Sequence, residues 1–250
     1  MNLLIDNKYL VAGTTIRDLN ATEQNNMALH ICNNTNAIIK NRQQLAQSIG
    51  CDIMDFVCAE QTHSSNFYKV TSVDRGRGAL TMENAIPNTD ALYTYEPGIL
   101  LTSFSADSVP VLLYNEKSGV IGAVHSGWQG TVKEVTPRLL HQLIVEEAND
   151  ASAFHVYIGT ALSQQKFEVD VDVYKKFKAL GYADKFMYFN PDTNKYHIDN
   201  QKTVKKQCEL AGIPANQITI DDTCTFLNKQ GFSYRQDKEC GRHMSFIMKK

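Results

Sequence analysis

Three apolar segments follow one another so closely in this chain that they restrict what its centre can fold into. They span residues 99–104, 109–114 and 120–124, and each has the length and composition of a buried strand. The last two are joined by Glu116-Lys-Ser-Gly119, an ordinary tight connection. We therefore expect these three segments to form the core of a β-sheet.

Strand-like and helix-like segments are interleaved along the rest of the sequence. One helical stripe runs from Thr35, which suits an N-cap, to Gly50, which suits the residue after a helix. A second helix is expected after Gly130, and Pro137 should kink it or delay its start. Further strands are predicted at residues 56–59, 67–73, 154–158, 186–189, 218–220 and 244–247, and further helices at 170–180 and 199–211.

This interleaving favours an α+β fold, in which mixed β-sheets are flanked by helices. With 250 residues and 43% hydrophobic content, the chain is long enough to bury a full core. No linker, low-complexity tract or charge block divides the sequence. Residues 1–250 are therefore predicted to form a single domain.

Charge and hydropathy restrict the partners and the compartment. A formal net charge of −2 gives the chain no excess of positive charge that would attract nucleic acid or an anionic membrane. A small-molecule partner is therefore expected. No apolar run approaches the roughly 18 residues of a spanning helix, and Asp6 follows the start too soon for a secretory signal. The six cysteines form no CxxC pairs and are expected to stay reduced. These features predict a cytoplasmic protein.

Polar side chains lie at the edges of three predicted strands. Gln61 and His63 follow one strand, Ser108 precedes another, and His125 ends a third, just before the only tryptophan, Trp128. The glycines around Trp128 allow a sharp turn and the close approach of a ligand. We therefore expect the three segments to form one site.

Two histidines on different strands would suit a catalytic zinc, which has three protein ligands and an open position. The third candidate, Ser108, is a poor zinc ligand because the pKa of a hydroxyl lies far above that of a thiol. Taken alone, each histidine is more often a surface or hydrogen-bonded core residue, and Trp128 is more often part of a core. Asp107 also suits an ordinary turn before a strand. The residues by themselves leave both interpretations open.

Several motifs occur in a characteristic order, and they are Gln61-Thr-His63, Thr89-Asp90-Ala91, residues 106–113, His125-Ser-Gly-Trp-Gln-Gly130, Phe167-Glu168-Val169 and Phe232-Ser-Tyr-Arg235. This ordered set resembles the laccase-domain family of the YfiH/YlmD type, known both as multicopper polyphenol oxidase and as purine nucleoside phosphorylase. The resemblance extends from about residue 11 to the C-terminus. It implies a YfiH-like fold for nearly the whole chain.

The resemblance also implies a metal site and a reaction. His63 and His125 match the family's two metal-binding histidines, and Ser108 stands where the family has a cysteine ligand. These three are the implied catalytic and metal-ligating residues, with zinc as the cofactor and copper as the alternative. The implied reactions are phosphorolysis of purine nucleosides, methylthioadenosine included, and deamination of adenosine. A zinc ion with an open position would suit deamination because it lowers the pKa of bound water.

A nucleoside and phosphate would need further side chains. An aromatic ring and a carboxylate could contact the base and the ribose, and an arginine could hold the anion. A Phe-Glu pair is also ordinary at the start of a helix. The expected substrate-binding residues are Gln61, Asp90, Phe167, Glu168, Arg17 and Arg235.

Ser108 is the most consequential departure from the family pattern, and Gln129 is a second, where the family has an arginine. A serine hydroxyl stays protonated and coordinates zinc weakly or through water, so metal affinity should fall sharply. Ser108 is either a natural variant with altered chemistry or a deliberate replacement of cysteine. Its neighbours all fit an intact site, which favours the replacement.

Two other functions stay open. Copper-dependent oxidation of phenols calls for many imidazole ligands and a cysteine, whereas this chain has seven histidines and no His-x-His pair. That chemistry therefore fits less well. With serine at position 108, the chain could also be a non-catalytic protein that binds nucleosides or sequesters metal.

Overall fold

The computed structural model describes residues 1–250 and contains 14 strands and five α-helices. The strands are β1 Asn2–Asp6, β2 Leu10–Thr14, β3 Phe56–Val57, β4 Phe67–Lys69, β5 Ala91–Thr94, β6 Leu100–Ser105, β7 Val109–Asn115, β8 Ile121–Ser126, β9 Phe154–Ile158, β10 Glu168–Val169, β11 Met187–Asn190, β12 Lys195–Ile198, β13 Ile218–Ile220 and β14 His243–Lys249. The helices are α1 Thr35–Ile49, α2 Trp128–Val132, α3 Val135–His141, α4 Val171–Lys178 and α5 Asn200–Leu210.

Two large mixed sheets and one small sheet organise these elements. The six-stranded sheet has the order β13-β9-β7-β8-β5-β4, and the five-stranded sheet has the order β1-β2-β14-β6-β3. Both contain parallel and antiparallel pairs. The small sheet, β10-β12-β11, is antiparallel. The expected α+β class with mixed sheets is confirmed, while the assignment of residues 1–250 to a single domain stays a prediction.

The two large sheets pack face to face, and helices cover their outer faces. Leu101 of the five-stranded sheet and Leu112 of the six-stranded sheet belong to one buried cluster between them. Leu45 of α1 packs in the cluster on the outer side of the five-stranded sheet. Leu139 of α3 and Val204 of α5 pack on the outer side of the six-stranded sheet. The result is a helix–sheet–sheet–helix arrangement, in which every layer buries an apolar face.

The three consecutive apolar segments do not share one sheet, which corrects the expectation from sequence. β7 and β8 pair antiparallel, with Val109 opposite Ser126, but β6 pairs with β14 and β3 in the other sheet. The reason lies in residues 106–108, where Asp107 adopts the left-handed conformation at φ 80°. This turn carries the chain from one sheet to the other.

The N-cap of α1 differs from the sequence expectation, whereas the end of α1 and the place of Pro137 in α3 agree with it. Asn34, not Thr35, caps α1, because its side-chain oxygen accepts hydrogen bonds from the backbone N–H groups of Asn36 and Ala37. Gly50 ends that helix at φ 76°, as expected. Pro137 marks the delayed start: it lies in the first turn of α3, where no backbone donor is needed.

Two strand predictions were too long, and five strands were not predicted. Residues 67–73 form a strand only as far as Lys69, because Asp74 accepts the backbone N–H of Thr71 and closes a 3₁₀ turn. Residues 56–59 form a two-residue strand, although Ala59 makes an isolated bridge to Ile86. β1, β2, β5, β10 and β12 were not predicted from sequence. None of the helices is long and apolar enough to cross a membrane.

A buried arginine ties α1 to two loops. Arg42 is fully buried and pairs with no carboxylate: its guanidinium donates to the backbone carbonyls of Met27, Gly78 and Ala79. The same group lies 5.1 Å from the centroid of the Phe104 ring. Burial lowers the pKa of Arg42. The charge is thus tolerated because main-chain oxygens replace its hydration.

We expect Arg42→Ala to lower the free energy of unfolding by about 3 kcal/mol or more, since it leaves a cavity and several buried carbonyls without a donor. Lys40→Ala, on the exposed side of the same helix, should change it by no more than about 0.5 kcal/mol. Urea denaturation of both variants measures the difference. Equal losses of unfolding free energy in the two variants would show that the buried guanidinium does not contribute to stability.

Candidate active site

One cavity of about 1100 Å³ contains the three residues that the sequence grouped together. His63 comes from the loop between β3 and β4, Ser108 from the β6–β7 turn, and His125 from β8. All three line the cavity, as do Gln61 and Trp128. The sequence expectation of one site assembled from three separate segments therefore agrees with the structure.

His125 is held by a buried carboxylate. Its Nδ1 lies 2.8 Å from Asp90 Oδ1, and the Asp90 side chain has no exposed surface. The backbone N–H of His125 also donates to the carbonyl of Asp90 at 2.7 Å. Nε2 of His125 has no hydrogen-bond partner in the protein. The ring is therefore fixed at one nitrogen and free at the other.

The same carboxylate holds the loop that carries His63. Asp90 Oδ2 accepts the backbone N–H of Ser64 at 2.7 Å, its hydroxyl at 2.6 Å and the N–H of Thr62 at 3.3 Å. Oδ1 accepts the N–H of His63 at 3.1 Å. His63 has φ 57°, an unfavourable conformation for a residue with a side chain. The hydrogen bonds to Asp90 stabilise this turn.

The protonation states follow from burial and these contacts. Burial alone would raise the pKa of Asp90, but hydrogen bonds from His125 and Ser64 outweigh it, and the pKa lies below its usual value. Burial and the neighbouring His125 lower the pKa of His63. At neutral pH, Asp90 is therefore ionised and His63 is neutral.

The His63 imidazole and the Ser108 hydroxyl converge on the space beside Gly127, and the His125 ring lies next to His63. A Cβ atom built on Gly127 would lie 2.9 Å from His63 Nδ1 and 3.0 Å from Ser108 Oγ. The ring centroids of His63 and His125 are 4.9 Å apart, at an interplanar angle of 61°. Only a residue without a side chain leaves this space open.

These groups fit a metal ion whose third ligand is weak. His63 Nδ1 is buried without a hydrogen-bond partner, which is costly unless another group occupies the site. Two imidazole nitrogens are ordinary zinc ligands. No cluster of three histidine, cysteine or acidic side chains is arranged to hold a metal, because the third group here is the hydroxyl of Ser108.

The segment after β13 closes the cavity beside Ser108. The Asp107 carboxylate accepts the Thr225 hydroxyl at 2.6 Å and the backbone N–H of Arg235 at 2.7 Å. Asp107 is thus more than a turn residue: it ties the β6–β7 turn to the C-terminal part of the chain.

Four of the six expected substrate-binding residues line the cavity. Gln61 has little freedom, because its amide both donates to and accepts from the backbone of Phe104. Phe167 is buried in the wall, and Glu168 begins a strand, not a helix. The Arg235 guanidinium donates to the Glu168 carbonyl at 3.0 Å. These last three residues therefore form one side of the cavity.

The other two expected residues lie elsewhere. Arg17 does not line the cavity, and its guanidinium donates to the Gln24 side chain at 2.7 Å. Asp90 does not line it either, since the carboxylate is buried behind the histidines. Both positions correct the sequence expectation, which had no means of distinguishing a charge inside the cavity from one beside or behind it.

Sequence analysis missed further cavity residues that no motif marks. They come from separate loops brought together by the fold, so their spacing carries no signal. They are His30, Met82, Lys238 and Arg242.

The chain is similar to known proteins along nearly its whole length. Residues 14–250 match the family model described as multi-copper polyphenol oxidoreductase laccase. The chain is 30% identical to purine nucleoside phosphorylase YlmD of Bacillus subtilis, over 97% of this chain and 89% of that protein. It is 35% identical to a purine nucleoside phosphorylase of Staphylococcus saprophyticus, over 89% and 84% of the two chains.

A solved structure has the same fold. The crystal structure of the hypothetical protein YfiH from Bacillus licheniformis superposes with a TM-score of 0.91, at 30% identity, over 96% of this chain and 93% of that one. The match in sequence and the match in fold both cover nearly the entire chain. The protein therefore belongs to the multi-copper polyphenol oxidoreductase laccase family, of the YfiH/YlmD type.

Proposed function

We propose that this protein binds purine nucleosides in the described cavity and cleaves them with phosphate, using a zinc site weakened by Ser108. The observation that carries the proposal is that His63, His125 and Ser108 line one cavity, with His63 next to both the Ser108 hydroxyl and the His125 ring. The relatives named purine nucleoside phosphorylase support the choice of reaction. Methylthioadenosine phosphorolysis and adenosine deamination are proposed for the same cavity.

The walls of the cavity offer the groups that a nucleoside and phosphate need. The Phe167 and Trp128 rings supply apolar surface for a purine base. The Glu168 carboxylate can accept hydrogen bonds from ribose hydroxyls. Arg235 and Arg242 provide cations for phosphate, since a guanidinium binds phosphate oxygens in pairs. Arg242 takes the place that the sequence had suggested for Arg17.

Proton transfer would fall to the histidines. A neutral imidazole can donate to or accept from a leaving purine, and His63 is neutral because burial lowers its pKa. When zinc is held by His63, His125 and weakly by Ser108, it would act as a Lewis acid in place of that proton transfer, because a coordinated imidazole nitrogen has no free lone pair. Copper-dependent oxidation fits the proposal less well, because multicopper chemistry calls for many imidazole ligands and this chain has no His-x-His pair.

We expect Ser108→Cys to raise zinc occupancy and nucleoside turnover together, because a thiolate supplies the charge and the soft donor that a hydroxyl lacks. The matched control is Ser118→Cys, which adds a thiol on an exposed turn away from the cavity. Elemental analysis and phosphorolysis of adenosine and inosine measure the two effects.

The results separate the rival functions. Equal occupancy and turnover in Ser108→Cys and the unsubstituted protein would refute the assigned role of position 108. Nucleoside binding without turnover in both proteins would favour the non-catalytic alternative. Oxidation of a phenol after copper loading, without any phosphorolysis, would favour the polyphenol oxidase.

His125→Ala should abolish residual zinc binding, since it removes one of the two imidazoles proposed to hold the metal. His141→Ala is the control, because His141 is an exposed histidine on α3. Zinc content after dialysis, measured by elemental analysis, reports the difference. Stoichiometric zinc retained in the His125 variant would place the metal elsewhere.

A further inference from the structure

Asp90 is the one buried carboxylate that contacts both histidine-bearing segments. Two groups of donors surround it, one from β8 and one from residues 62–64, and its side chain has no exposed surface. It therefore cannot contact a substrate in the cavity. We propose that Asp90 is a positioning residue that sets the tautomer of His125 and the place of His63 together.

The first part of this role follows from hydrogen-bond chemistry. An ionised carboxylate only accepts hydrogen bonds, so a neutral His125 must carry its proton on Nδ1, 2.8 Å from Asp90 Oδ1. Nε2 then keeps its lone pair, and it has no partner within the protein. Because His125 lines the cavity, that lone pair is available to a metal ion or a substrate proton.

The second part concerns the backbone of the loop that carries His63. Asp90 Oδ1 accepts from the N–H of His63 as well as from His125, so one oxygen atom contacts both histidines. Oδ2 accepts from Thr62 and twice from Ser64. With φ 57°, His63 keeps its unfavourable turn only while these donors are satisfied. A change at Asp90 therefore reaches both imidazoles.

Asp90→Asn distinguishes this role from a structural one. Three donors surround Oδ2 and two surround Oδ1, so the new NH₂ group should take the Oδ1 position, where fewer donors oppose it. This NH₂ group would then donate a hydrogen bond to Nδ1 of His125. Nδ1 must therefore be unprotonated, and the single proton of the neutral imidazole moves to Nε2. The lone pair toward the cavity is lost, while most of the loop's hydrogen bonds are kept.

The test measures the tautomer and zinc binding, neither of which depends on turnover. Nitrogen NMR of ¹⁵N-histidine-labelled protein should assign the Nδ1–H form to His125 in the unsubstituted chain and the Nε2–H form in Asp90→Asn. Zinc affinity, from competition with a chelating dye, should fall roughly 10- to 100-fold. Because the role in catalysis rests on the proposed function, nucleoside turnover is recorded separately.

Asp74→Asn is the matched control. Asp74 is also a buried carboxylate that accepts a backbone N–H, from Thr71, and a guanidinium, from Arg77. It does not line the cavity or contact either histidine. This variant should keep the Nδ1–H form of His125 and the original zinc affinity.

The outcomes are distinct. An unchanged tautomer and zinc affinity in Asp90→Asn would overturn the positioning role and leave the proposed function standing. If the tautomer changes in Asp90→Asn but the unsubstituted protein turns over no nucleoside, the positioning role stands and the proposed function alone is overturned. If the variant does not fold, the unsubstituted chain still decides, because an Nε2–H tautomer of His125 there contradicts the proposal.

Discussion

The register between β7 and β8 is the constraint on which the rest of the site depends. With Val109 opposite Ser126, Ser108 comes to lie beside Gly127, and His125 projects on the same face two pairs further along. Side chains alternate along a strand, so a slip of one residue would bury Ser108 and His125 on the opposite face. The opposite face packs into the apolar core around Val111 and Val124, where an imidazole would be costly to bury. Packing of the core therefore fixes the geometry of the polar site.

Much of this arrangement could be predicted from local sequence. β7, β8 and β9 are strongly apolar, and their predicted and observed bounds differ by at most two residues. The grouping of His63, Ser108 and His125 followed from their places at strand edges and from the resemblance to a known family. Such features are local: each depends on a few neighbouring residues.

The errors concern relations between distant residues. β6 belongs to the other sheet because Asp107 turns the chain, and a single left-handed residue leaves no periodic signal. Arg17 and Arg242 carry the same charge, yet only Arg242 lines the cavity. Asp90 is buried behind the histidines because two loops close over it. In each case long-range packing decides, and spacing along the chain does not carry that information.

The position of β14 has a consequence for the order in which the molecule is built. This strand, His243–Lys249, lies between β2 and β6 and pairs with both, although it is synthesised long after either of them. Until it arrives, the five-stranded sheet is split and two strand edges are unpaired. The β6–β7 turn also awaits Thr225 and Arg235, which hold Asp107. A nascent chain can therefore present its histidines before the pocket exists, and a ligand can be recognised only after synthesis has passed residue 249.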